Sequence, residues 1–162
     1  MIALKRILVP HDFSETSDAA LKYAIALTRT FGAKLHVLHV SEKVQKDIET
    51  EFPLGLDASL EDALRERLSL ILPPREQKEL HPEFHIGTGS PHAEILHYAT
   101  EHDIDLIVMG THGRGVVGRM VMGSVADKVV RYAPCPVLTT HNTEQRSFVT
   151  SEALGEAARP TP

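Results

Sequence analysis

The chain has 162 residues, enough for one domain with a single hydrophobic core. Its 42% hydrophobic and 24% charged composition is that of a globular protein, and its formal net charge of −5 argues against a general binder of nucleic acid or of an anionic membrane, either of which needs a basic surface. The single cysteine, Cys135, excludes a scaffold stapled by internal disulfides, and no stretch approaches the roughly 18 to 20 apolar residues of a membrane span.

Met1 to Arg6 lacks the basic start, apolar stretch and small-residue cleavage site of a signal peptide, so a cytoplasmic location is expected. Ile7, Leu8 and Val9 then run apolar up to Pro10, as in a strand covered on both faces. Ser14 is placed to cap a helix, with Glu15 and Asp18 in its first turns, where the helix dipole favours negative charge. Ala20, Tyr23, Ala24, Leu27 and Phe31 follow at spacings of three and four and predict its buried stripe; Gly32 supplies the left-handed residue that ends it.

Leu35 to Val40 predicts a second strand, and the polar segment 41–56 a mobile loop. Ser59 and Asp62 open a second helix with the stripe Leu60, Leu64, Leu68 and Ile71, and Pro73-Pro74 stop it. Glu83 to Gly87 predicts a third strand at a sheet edge, where the missing N–H of Pro82 is tolerated. Ser90-Pro91 opens another helix, with Ile95, Leu96 and Ala99 on its inner face. Asp105 to Met109 contains Leu-Ile-Val-Met, the clearest buried strand. A glycine-rich segment, a helix from Ser124 to Tyr132 and a last short strand from Pro136 to Thr140 complete the pattern. Strands alternating with helices imply right-handed crossovers and a parallel sheet. Residues 142–162 hold few large apolar side chains and read as a flexible tail on a domain spanning 1–141.

In open parallel sheets ligands sit beyond the carboxyl ends of the strands. Two such ends carry unusual chemistry: Pro10-His11-Asp12, and Gly110-Thr111-His112-Gly113-Arg114-Gly115. Glycines there permit positive φ and close approach of the backbone to a ligand. The second segment finishes at Gly123-Ser124, at a helix start whose free N–H groups and partial positive charge suit a phosphate. Arg114, Arg119 and Lys128 add positive charge nearby. The Gly-Lys-Ser/Thr of a P-loop is missing. Gly113-x-Gly115-x-x-Gly118 matches the dinucleotide fingerprint in letters only. It follows the fourth strand, and no acidic residue ends the next strand to bind a ribose.

Asp12 has two roles open to it, contact with a ligand and capping of the turn into the first helix; Ser124 likewise, a phosphate contact and a helix cap. Of the ten histidines, His11, His39 and His112 lie at or just past strand ends, but no His-x-His pair or Cys/His spacing supports a zinc site. His36 and His39 differ in strand parity and should face opposite sides. Cys135, between two prolines, is expected to pack rather than react.

The pattern Gly110-x-x-Gly113, nine residues, then Gly123-Ser124 resembles the nucleotide loop of the universal stress protein family. The resemblance covers about residues 3 to 140. It includes Val9-Pro10-x-Asp12, Leu106-Ile107-Val108-Met109-Gly110, Gly123-Ser124-Val125-Ala126-Asp127-Lys128-Val129-Val130 and Pro134-Cys135-Pro136-Val137-Leu138. It implies an α/β, Rossmann-like fold: an open five-stranded parallel sheet in the order 3-2-1-4-5 with helices on both faces, dimerising through the last strand. The intact glycine pattern implies ATP binding. By that match Pro10, Asp12 and Val40 line the adenosine side. Gly110, Gly113, Arg114 and Gly115 wrap the ribose and phosphates, and Gly123, Ser124 and Val125 hold the phosphates at the helix start. Mg²⁺ rides on the phosphates, with no metal site of the protein's own. The chain departs from the family in its 41–56 loop, its Pro73-Pro74 break and its tail.

The function so implied is that of an ATP-binding regulatory module in a stress response. Two alternatives stand beside it. One is a slow ATPase or self-phosphorylating enzyme, for which only His11 and Asp12 are candidates to position a water. The other is a dimeric adaptor that works without nucleotide.

Overall fold

The apolar runs become strands and the capped stripes become helices in the computed structural model, which describes residues 3–42, 58–111 and 122–141. Along the chain these are β1 (Arg6–Pro10), α1 (Glu15–Phe31), β2 (Lys34–Ser41), α2 (Ala58–Ser69), α3 (Pro74–Leu80), β3 (Glu83–Thr88), α4 (Pro91–Glu101), β4 (Leu106–Gly110), α5 (Ser124–Tyr132) and β5 (Val137–Thr140). Every strand pair is parallel, as the alternation of strands and helices predicts, and the sheet order is β3-β2-β1-β4-β5, as the family resemblance implies.

β1 is central, and Ile7, Leu8 and Val9 are fully buried because helices cover both faces of the sheet. The period-two alternation of a strand divides its residues between two cores. Ile7, Val9, Leu35, Val37 and Val108 pack with α1 and with Leu68 and Leu72. Leu8, Leu38, Ile107 and Met109 pack with Ile95, Tyr98 and Ala99 of α4 and with Ala126 and Val129 of α5. Each such aliphatic side chain contributes about 1.5–3 kcal/mol when fully buried. β3 lies at one edge of the sheet, as Pro82 predicts, and β5 at the other. Cys135 is half-buried against the second core, and burial pushes its thiol pKa up, which agrees with a packing role. No helix among the described residues is long and apolar enough to cross a membrane.

The helix termini and faces refine the sequence reading. Ser14 caps α1 by accepting from the Ser17 amide, and Gly32 closes it at φ 62°. The buried face of α1, however, is Ser17, Ala20, Leu21, Ala24 and Thr28, while Tyr23 and Phe31 are 38% and 45% exposed. Small residues sit inward because α1 lies very close to β4: a Cβ on Gly110 would stand 2.9 Å from the backbone of Thr16. In α2, Leu68 is buried but Leu60 is 47% exposed.

Pro73-Pro74 separates two helices rather than ending one. Pro74 occupies the first turn of α3, where a missing N–H costs nothing. The Gln77 side chain joins the two pieces, its Nε2 donating to the carbonyls of Ser69 and Leu72, both at 2.8 Å. Finally, Gly123 and not Ser124 is the N-cap of α5, so Ser124 stands at the first helical position.

Candidate nucleotide cleft

The chain reverses its direction of winding beside β1, with β2 on one side and β4 on the other. Crevices in open α/β sheets form beyond the strand ends at such a point. Here a cleft of about 570 Å³ opens over the carboxyl ends of β1, β2 and β4 and the start of α5. Pro10, Asp12, Val40, Gly110, Gly123, Ser124 and Val125 all line it. Gly113, Arg114 and Gly115 lie outside the described residues, as do His112, Arg119, most of the 41–56 segment and the tail from 142. Lys128 is not at the cleft: it is exposed, in a groove between α4 and α5 with His92 and Tyr132.

The turn after β1 is held by its own side chains. The Asp12 carboxylate accepts from the Ser14 amide at 3.0 Å, from the Ser14 hydroxyl and from the Ser17 hydroxyl at 2.5 Å, in each case through Oδ1. Asp12 therefore does cap the turn into α1. Burial pushes its pKa up, but the hydrogen bonds from Ser14 and Ser17 outweigh that and hold it below the ordinary carboxylate value. It presents a negative charge to the cleft.

His11 is buried, and both ring nitrogens are engaged. Nδ1 accepts from the Phe13 amide at 3.1 Å, which leaves Nε2 to donate to Asp18 Oδ1 at 3.0 Å. Burial lowers its pKa despite the attraction of Asp18, so the ring is neutral near pH 7. His39 Nδ1 lies 2.8 Å from the His11 carbonyl. Phe13 turns the chain at φ 63°. Its ring centroid is 4.5 Å from that of His39, and the Arg67 guanidinium stands 4.0 Å above it. His11 and His39 thus brace the wall of the cleft rather than converge as a proton-transfer pair. His36 points to the opposite side of the sheet, toward Tyr98, as its parity predicts.

Across the cleft, the first hydrogen bond of α5 runs from the Asp127 amide to the Gly123 carbonyl at 2.9 Å. The amides of Ser124, Val125 and Ala126 precede it and have no acceptor within the helix. Gly123 brings no capping side chain to meet them. All three residues line the cleft. The apolar wall comes partly from Pro91 and Ile95 of α4, which sequence reasoning did not select as cleft residues. His39, Ser41 and Glu42 also line the cleft, and their position beside Val40 was the available signal.

The profile of the Universal stress protein family matches residues 3–141. A universal stress protein of Thermus aquaticus is 39% identical over 138 residues, which span 83% of this chain and 96% of the relative. The solved structure of a Methanocaldococcus jannaschii universal stress protein matches at a TM-score of 0.74 and 29% identity, over 89% of this chain and 100% of that one. A universal stress protein solved in complex with cAMP shares the fold at a TM-score of 0.60 and 24% identity, over 88% of this chain and 100% of that one.

Proposed function

The chain belongs to the universal stress protein family, and from that premise we propose that its cleft binds an adenine nucleotide, ATP foremost, and that the loaded protein is a regulatory module of a cytoplasmic stress response. The observation that carries this reading is the uncapped start of α5 opening into a cleft at the winding reversal of the sheet. Backbone amides and the positive end of the helix dipole favour an anion there. The opposite side is chemically different: Val40, Pro91 and Ile95 offer apolar surface to a flat base, and ionised Asp12 repels phosphate but accepts from sugar hydroxyls. The two sides together fit a molecule that is apolar at one end and anionic at the other. That a fold neighbour is solved with cAMP agrees with this polarity.

In the same reading Gly113, Arg114 and Gly115 wrap the ribose and phosphates, with the Arg114 side chain adding positive charge. Mg²⁺ is held chiefly by the phosphate oxygens, since this ion keeps most of its water and takes few protein ligands. The second copy of a homodimer pairs along β5, an open sheet edge on which Leu138 is 38% exposed. Calorimetric titration of the full chain with Mg-ATP tests the central claim. Saturable binding of one nucleotide per chain is expected, and a flat titration with ATP, ADP and AMP alike would overturn it.

A further inference from the structure

Far from the cleft, the open edge at β3 gathers a second set of polar side chains. The β2–β3 register pairs His36 with Glu83, and His85 stands two residues further along β3. Side chains two apart on a strand share a face, so the three project from the same side of the sheet. Their donor atoms meet: Glu83 Oε2 lies 3.4 Å from His36 Nδ1 and 3.5 Å from His85 Nε2. One donor atom from each of the three lies within 4.8 Å of the other two. A tetrahedral ion with bonds of about 2.0–2.1 Å sets its ligand atoms about 3.3–3.4 Å apart. Two edges of that tetrahedron are therefore close to length, and the third, between the two imidazole nitrogens, is within 4.8 Å.

The described residues satisfy His36 only in part. The residue is 3% exposed, its Nδ1 is 2.9 Å from the Tyr98 hydroxyl, and its Nε2 is buried without a hydrogen-bond partner among the described residues. With the proton on Nε2, the Nδ1 lone pair faces the Glu83 carboxylate across 3.4 Å. With the proton on Nδ1, the lone pair of buried Nε2 is orphaned. A cation between Nδ1 and Glu83 removes the repulsion between that lone pair and the carboxylate; it takes the place of the Tyr98 hydroxyl on Nδ1 and leaves the proton on Nε2. Lys34 forms an ion pair with Glu83 through Oε1, which leaves Oε2 turned to the two imidazoles. The Glu83 and His85 side chains are 37% and 36% exposed and give an ion access from solvent.

We propose that His36, Glu83 and His85 form a zinc site that pins the edge strand β3 to β2. Two imidazoles and one carboxylate suit Zn²⁺, whereas Mg²⁺ and Ca²⁺ select all-oxygen sets. Three protein ligands leave the fourth position to water, with the His102 ring centroid 5.6 Å from that of His85. The site is separate from any ion carried on a nucleotide: His36 lies four positions before Val40, roughly 13 Å back along β2.

The test uses the full chain without an affinity tag, freed of nucleotide and stripped with a chelator, and titrated with Zn²⁺ by calorimetry and with Co²⁺ by visible absorption. The expected result is one tight ion per chain and the intense d–d bands of four-coordinate cobalt. His85→Ala and Glu83→Gln should each weaken binding by roughly tenfold or more. Both lie at the exposed edge, and circular dichroism checks that they fold; His36→Gln, in the core, is read only if it folds. Absence of Zn²⁺ binding to the wild type at sub-millimolar metal would overturn the proposal. So would binding of unchanged strength in both edge variants, since the ion would then sit on other histidines. Neither result bears on nucleotide binding.

Discussion

The amide of Gly123 donates to the carbonyl of Thr111 at 2.6 Å, joining the two ends of the glycine-rich segment at its base. Thr111 is itself anchored, its amide donating to the Thr140 carbonyl of β5 at 3.0 Å. The mouth of this segment is thus set by β4, β5 and α5 together. In the nucleotide reading, the residues between them fold over a ligand whose phosphates meet α5. Mg-ATP should therefore raise the melting temperature of the wild type, by the equivalent of about 2.7 kcal/mol at a hundredfold excess over Kd. Gly113→Val should abolish that rise by crowding the phosphate path. An undiminished rise in the variant, measured by differential scanning fluorimetry, contradicts the placement of the phosphates.

Gly110 makes a separate prediction, about packing. A methyl group there would meet the backbone carbon and oxygen of Thr16 at 2.9 Å. Backbone cannot rotate out of the way, so Gly110→Ala should cost about 1–3 kcal/mol. Because main-chain atoms are involved, shortening the neighbour with Thr16→Ala should not restore stability. Recovery in the double variant, by urea denaturation, would show that side-chain crowding alone was at fault.

The two roles of Asp12 can be separated. Asp12→Ala removes the acceptor that Ser14 and Ser17 share and should lower stability by about 1–2 kcal/mol. Ser17→Ala breaks part of the same network without touching the charge. If Asp12 also contacts the nucleoside, Asp12→Ala will weaken ATP binding while Ser17→Ala leaves it nearly unchanged. Equal loss of affinity in the two would reduce Asp12 to a turn residue.

His11 gives the fold a defined response to acid. Burial lowers its folded pKa below the ordinary 6.5, against the pull of Asp18 and Asp12. Below pH 6.5 the unfolded chain therefore binds more protons at this position than the folded one. The stabilisation is complete above pH 6.5 and declines as the pH falls from there toward the lowered folded value. His11→Gln, which keeps a hydrogen-bonding group but does not titrate, should flatten this part of the stability profile. An unchanged slope in chemical denaturation between pH 7 and pH 5 would assign it to other groups.

The parts of this architecture that were readable in the sequence are those fixed by local chemistry. Ile7-Leu8-Val9 and Leu106-Ile107-Val108-Met109 have no polar face, so they had to be central strands. Ser14 and Gly32 mark both ends of α1 by capping alone. The errors came where a neighbour decides. The inward face of α1 was misjudged because the large side chains of Tyr23 and Phe31 were weighted over Ser17 and Thr28, whose small size suits the close approach at Gly110. α3 was missed because Pro74 was read as a stop, although a proline in the first turn can equally begin a helix. In the cleft, the strand-end residues were legible and Pro91 and Ile95 were not, since nothing local says which way α4 crosses. His36, Glu83 and His85 escaped notice because they become neighbours only through the β2–β3 register.

The two margins of the sheet are chemically unlike. One bears Glu83 and His85 beside Lys34, while the other offers Val137 and Leu138. A charged margin resists strand addition and an apolar one invites it. The homodimer proposed above therefore uses the β5 margin twice, about a two-fold axis, and such a union is complete at two chains. Endless ribbon growth would need the two margins to accept each other. In the proposed homodimer the lopsided edges limit association to a finite pair, and Leu138→Lys should give single chains in light scattering.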